Sequence, residues 1–88
     1  MDNLNKDFLP LLTAIPDGAT ARQWRGQKYQ VTKQTLQDGK LIKLLADGLA
    51  EGDIISFNFY RLESGDSLKP CEMPAEKVID FVINSISV

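Results

Sequence analysis

The chain's one cysteine lies in LKPCEMPAEKVIDFV, residues 68–82, with a glutamate directly after it and a proline three positions on. A thiol near a helix entrance gains thiolate character from the helix dipole, and a neighbouring carboxylic acid can donate a proton to an oxygen being expelled. Cys71 and Glu72 are thus the candidate pair for thiol chemistry, with Tyr29 or Tyr60 as assisting donors. Two features oppose this. Glu72 and Glu76 bring negative charge towards the thiol, which raises its pKa, and Cys71 stands three residues before Pro74, where the dipole has faded. The competing reading makes Cys71 a small apolar filler between the last strand and the following helix, because free cysteine is among the most buried residue types. The sequence favours the filler.

The remaining inventory closes most other chemistry. Histidine is absent, which removes serine and cysteine triads that use imidazole and every histidine-containing zinc or iron site. A single cysteine forms no intramolecular disulfide and no thiolate zinc site. No glycine-rich phosphate loop occurs, so neither cofactor nor metal is expected. Asp47, Glu51 and Asp53 do not match the calcium-loop spacing and read as a solvated turn.

Charge is divided unevenly along the chain. Residues 20–43 carry Arg22, Arg25, Lys28, Lys33, Lys40 and Lys43 against Asp38 alone, although the whole chain has a net charge of −2. Trp24 and Tyr29 lie within that basic segment. Cations that track phosphates, with rings that stack on bases, make a platform for single-stranded nucleic acid. Arg22, Trp24, Arg25, Lys28 and Lys43 are its candidate residues. The alternative is a solvated strand face paired with acidic loops of the same chain, its aromatic rings packed in the core. The net negative charge argues against a strong general nucleic-acid binder.

These residues need elements to position them. Leu4, Phe8, Leu11, Leu12 and Ile15 form one helical stripe, and Pro10 confines the regular helix to a start near Asp7–Leu9 and a stop at Pro16. From Ala19 to Leu62 the period shortens. Ile55, Phe57 and Phe59 alternate with Ser56, Asn58 and Tyr60, which predicts a strand over 54–62 with one buried face. Turn signals at Gly26, Asp38-Gly39, 51–53 and 64–66 divide the region into short antiparallel strands. Residues 40–49 satisfy helical spacing as well, but the Asp38-Gly39 turn before them predicts a strand. Pro74 and Glu76 open a final helix whose stripe is Ala75, Val78, Ile79 and Val82. The expectation is one α+β domain over residues 1–88: an N-terminal helix, a curved antiparallel sheet of four to five strands covered on one face, and a C-terminal helix.

With 43% hydrophobic and 25% charged residues, the composition is that of a soluble globular domain. No apolar run approaches the ~20 residues of a membrane span, and no basic-then-apolar leader is visible. A cytoplasmic protein without membrane contact is expected.

At KPCEMP and KVIDF, together with RGQKYQVTKQT and ISFNFYR, the chain resembles a small, mostly bacterial family of short uncharacterised proteins often labelled peptide methionine sulfoxide reductase. The resemblance runs from about Phe8 to Ile83, and KPCEMP is its most specific part. It implies that Cys71 attacks the sulfoxide sulfur. The Gly-Cys-Phe-Trp motif of one true reductase class is absent, as are the zinc-binding cysteine pairs common in the other. A weaker, architectural likeness is to the single-stranded-DNA-binding transcriptional coactivator fold. Three functional expectations follow, in this order: a non-enzymatic binding module contacting single-stranded nucleic acid through its basic strands; a single-cysteine, thiol-dependent methionine sulfoxide reductase; and an interaction domain that dimerises through an exposed strand edge.

Overall fold

The computed structural model describes residues 6–50 and 52–88; Leu4 of the first stripe and Glu51 of the acidic turn lie outside them. Its elements are α1 (Phe8–Ala14), β1 (Gly18–Trp24), β2 (Gln27–Leu36), β3 (Leu41–Gly48), β4 (Ile54–Leu62), β5 (Gly65–Pro70), α2 (Ala75–Asn84) and β6 (Ile86–Ser87). The strands form one antiparallel sheet in the order β5-β4-β3-β2-β1-β6. Strands β1 to β5 follow one another as a meander. Helix α2 then carries the chain to the far edge, where Arg22 pairs with Ser87 and Gln23 with Ile86. This is the α+β architecture expected, with a sixth strand beyond the four or five read from sequence. Two residues are too few for an alternation to register.

The side-chain period of two decides where the helices lie. Tyr29 and Val31 of β2, Ile42, Leu44 and Ala46 of β3, and Ile55, Phe57 and Phe59 of β4 all turn to one face and are buried. Phe8, Leu12 and Ile15 cover that face from the α1 side, and Val78, Phe81 and Val82 cover it from α2. The Phe8 ring lies 6.1 Å from that of Phe57 and 5.4 Å from that of Phe59. Leu11, expected on the α1 stripe, remains exposed, because so short a helix presents a narrow face. Residues 41–48 are a strand despite their helical spacing: Gln37 and Asp38 both take left-handed backbone conformations and turn β2 back as β3.

Two tight features hold the strand ends. The β1–β2 hairpin closes on Arg25-Gly26, both at positive φ, as a two-residue primed turn requires. Arginine is an unfavourable occupant of that conformation. At the other end of β3, a Cβ on Gly48 would lie 2.9 Å from the Asp53 carbonyl oxygen, so only glycine lets the 49–53 loop fold back.

Helix α1 is too short to be stable alone, and a lysine completes it. Lys33 is on the covered face of β2, opposite Gly18, and is 4% exposed. Its ammonium donates to the carbonyl oxygens of Ile15 (2.6 Å), Leu12 (2.9 Å) and Thr13 (3.4 Å), with the Asp17 carboxylate 3.7 Å away. They lie at the C-terminus of the helix, where carbonyls run short of N–H partners (Leu12 also accepts the Ile15 N–H at 3.2 Å), and the negative end of the dipole attracts the cation. Burial pushes the Lys33 pKa down, and Asp17 partly offsets this. Lys33→Met keeps the stem but removes the ammonium donor from all three carbonyls. It should lower the unfolding free energy by about 1–3 kcal/mol, read from urea melts. An unchanged midpoint would show that water replaces the ammonium at no cost.

Candidate functional site

The basic segment does not assemble into one surface. Arg22 and Trp24 share the covered face of β1. Arg22 closes the end of α2, donating through Nε to Ser85 Oγ (2.8 Å) and through Nη2 to the Ser85 carbonyl (2.9 Å). Trp24 is 3% exposed, with its ring edge-on to Tyr29 and Phe81 and its Nε1 donating to Asp80 (2.9 Å). Arg25 lies 4.3 Å above the Trp24 ring and pairs with the same Asp80 oxygen at 3.2 Å, which offsets its unfavourable backbone. Of the five residues expected to meet nucleic acid, only Lys28 and Lys43 stand on the uncovered face of the sheet. Trp24 is therefore corrected from stacking platform to core residue, and Arg22 from phosphate contact to helix cap. The physical reason is twofold: alternation separates neighbours onto opposite faces, and the helix ends take Arg22 and Lys33 while Asp80 holds the exposed Arg25 over the Trp24 ring.

Cys71 is exposed, which corrects the filler reading. Its N–H donates to the Ser56 carbonyl (3.0 Å), extending the β4–β5 ladder by one residue before the chain leaves the sheet. Met73, two residues on, packs half-buried against the core. Glu72 is exposed at φ 59. Tyr29 is buried on β2, where its hydroxyl donates to Asp53, so it is not positioned to assist a thiol three strands away. Tyr60 stands on the uncovered face, four residues along β4 from Ser56.

That uncovered face is the candidate site. The register aligns its side chains in rows across the strands: Leu36, Leu41, Tyr60 and Ser67; then Gln34, Lys43, Asn58 and Lys69; then Ala19, Thr32, Leu45 and Ser56; then Ala21, Gln30, Asp47 and Ile54. Leu45 is 46% exposed and Ile54 49%. Around Leu45 and Lys43 the surface dips into a shallow concavity of about 210 Å³, which Thr32, Gln34, Ser56 and Asn58 also line. A sequence signal for this face did exist. Leucines on both faces of β3 are what gave residues 40–49 their helical spacing.

At one end of the covered layer, Trp24, Arg25, Tyr29, Asp53 and Lys77 border a polar cleft of about 510 Å³. Asp53 accepts from Lys77 Nζ (2.9 Å) and from the Tyr29 hydroxyl (3.0 Å), tying the 49–53 loop to α2. These groups are engaged with one another, so the cleft is a latch on the loop.

No protein-family model, no curated protein and no solved structure matches the chain. The functional reading therefore rests on the geometry.

The latch has a pH signature. The Lys77 hydrogen bond, aided by Tyr29 and opposed by burial, holds the Asp53 carboxyl below its ordinary 3.8. As pH falls, the unfolded chain takes up this proton first. The stabilisation is therefore complete above 3.8 and is lost as pH falls through the folded value. Asp53→Asn should be less stable than wild type at pH 6, with the gap narrowing at pH 3, as measured by urea melts at both pH values. A gap of constant size would count against the pairing.

Proposed function

We propose that the chain is a small binding module whose contact surface is the uncovered face of its sheet, and that what docks there is protein. The observation that carries this reading is the set of exposed apolar side chains Leu36, Leu45, Ile54 and Leu62, with the half-buried Leu41 and Tyr60 on the same face, spread across three adjacent strands. Apolar side chains gathered on one face of a soluble domain mark an interaction site. Lys28, Lys43 and Lys69 are distributed among them, and Tyr60 supplies the one aromatic ring of that face. Single-stranded nucleic acid needs successive rings on which bases stack, so the balance of side chains favours protein.

A photo-cross-linking side chain in place of Leu45 should trap a bound protein, and the same group in place of Glu76, exposed on α2, should not. Equal yields from both positions would remove the face assignment. Titration with a short labelled single-stranded oligonucleotide should give no binding at low salt. Binding that weakens in Lys43→Ala, with a log–log salt slope of roughly −0.7 per phosphate, would transfer the face to nucleic acid.

The exposure of Cys71 favours a second reading, thiol-dependent reduction of methionine sulfoxide. The thiolate would attack the sulfoxide sulfur and take its oxygen as sulfenic acid, releasing methionine. With no second cysteine in the chain, one external thiol would condense with the sulfenic acid to a mixed disulfide, releasing water, and a second would displace Cys71 as the external disulfide forms. Turnover of a methionine sulfoxide peptide with dithiothreitol, lost in Cys71→Ser, is its test; no turnover by wild type would eliminate it.

A further inference from the structure

We propose that the partner on the uncovered face is a second copy of this chain, packed face to face about a twofold axis that crosses the strands at Leu45. This rests on the preceding reading of that face as the contact surface, and the pattern of charge around Leu45 is what identifies the occupant.

On β3, Lys43 and Asp47 flank Leu45 at equal distance on the same face. A half-turn about a line across the strands at Leu45 exchanges the two positions. Lys43 then meets the partner's Asp47, and Asp47 meets the partner's Lys43. The same operation on β2, centred on Thr32, sets Gln34 against the partner's Gln30, whose amides offer each other a donor and an acceptor. On β4, centred on Ser56, it sets Asn58 against the partner's Ile54.

An isologous interface also constrains the residues on its axis, because each of them meets its own copy. A charge there would face an identical charge. The row on the axis is Ala19, Thr32, Leu45 and Ser56, all uncharged. The rows on either side carry the charges, and β3 carries opposite signs in the two rows.

Edge pairing is the less favourable route to a dimer. Strand β5 exposes Asp66 and Lys69 and ends in Pro70, and β6 has two residues. Charges, proline and brevity are the features that protect sheet edges. Face packing at a sheet separation of ~10 Å suits long side chains such as Lys43 and Leu45. Five strands at ~4.8 Å and eight residues at ~3.3 Å present on the order of 600 Å² per copy. That approaches the ~800 Å² per partner of a standard interface and suits a reversible dimer.

Sedimentation equilibrium on the full chain tests the geometry through a charge swap. Wild type should dimerise reversibly in the micromolar range. Lys43→Asp and Asp47→Lys should each weaken dimerisation by about tenfold or more, since each sets like charges together twice across the axis. The double variant Lys43→Asp/Asp47→Lys should restore it to within a few-fold of wild type. Both positions are exposed and have uncharged cross-strand neighbours, so circular dichroism melts should overlay. A wild-type monomer at several hundred micromolar would overturn the dimer. If Leu45 still cross-linked to another protein, the contact-face reading would survive that result. A dimer whose affinity the swap did not restore would overturn the axis.

Discussion

The Lys33 ammonium meets three carbonyls at the end of α1 inside the protein, and the placement of the first helix depends on that contact. A seven-residue helix has no independent stability. Anchored at its C-terminus, it presents Phe8 and Leu12 to Phe57 and Phe59 and closes one half of the core. Taking a cation out of water is costly, and only several well-placed acceptors together with the helix dipole offset that cost. Gly18, opposite Lys33, takes a left-handed φ of 94° where β1 begins. Arg22 repeats the device on α2, where it holds Ser85 at the helix end. Each helix therefore ends on a cation from the covered face of the sheet.

This use of charge explains why the basic segment is not a basic surface. Arg22 and Lys33 close helix ends, and Arg25 pairs with Asp80 above the Trp24 ring. Asp80 of the C-terminal helix and Ser85 at its end thus engage the cations of β1 and its hairpin turn. The lysines of the uncovered face, Lys28, Lys43 and Lys69, lie among leucines and neutral polar residues. Such a surface suits protein contact better than phosphate tracking.

The two faces of the sheet differ in more than polarity. On the covered side, aromatic rings and helix stripes interlock, and the Gly48–Asp53 approach and the Asp53–Tyr29–Lys77 latch secure the loop beside them. On the other side, no element of the described chain lies over the leucines of β2 and β3. The reciprocal spacing of Lys43 and Asp47 about Leu45 is a property of that side alone.

Much of this protein is determined locally and is legible in its residues. The alternation of 54–62, the stripe of 8–15, the proline-led final helix and the turn at Asp38-Gly39 each identify an element, because period and turn chemistry act over a few residues. The division between a buried and an open face follows from the same alternation. Other features depend on residues far apart in the chain. Lys33 lies on the apolar face of its strand, yet its charge marked it as solvated; only α1, docked some twenty residues upstream, supplies carbonyls that make burial tolerable. Whether Trp24 stacks on a ligand or packs in the core, and whether Arg22 meets phosphate or protein, is decided only when α2 brings in Asp80 and, at its end, Ser85. Cys71 read as buried, yet it is exposed where the chain leaves the sheet, and Met73 packs against the core. Strand β6 exists only because α2 delivers its two residues beside β1. Sequence patterns record the preference of a residue for water or oil, whereas the fate of a charge or a polar ring is decided by whichever partner the tertiary fold brings within hydrogen-bonding distance.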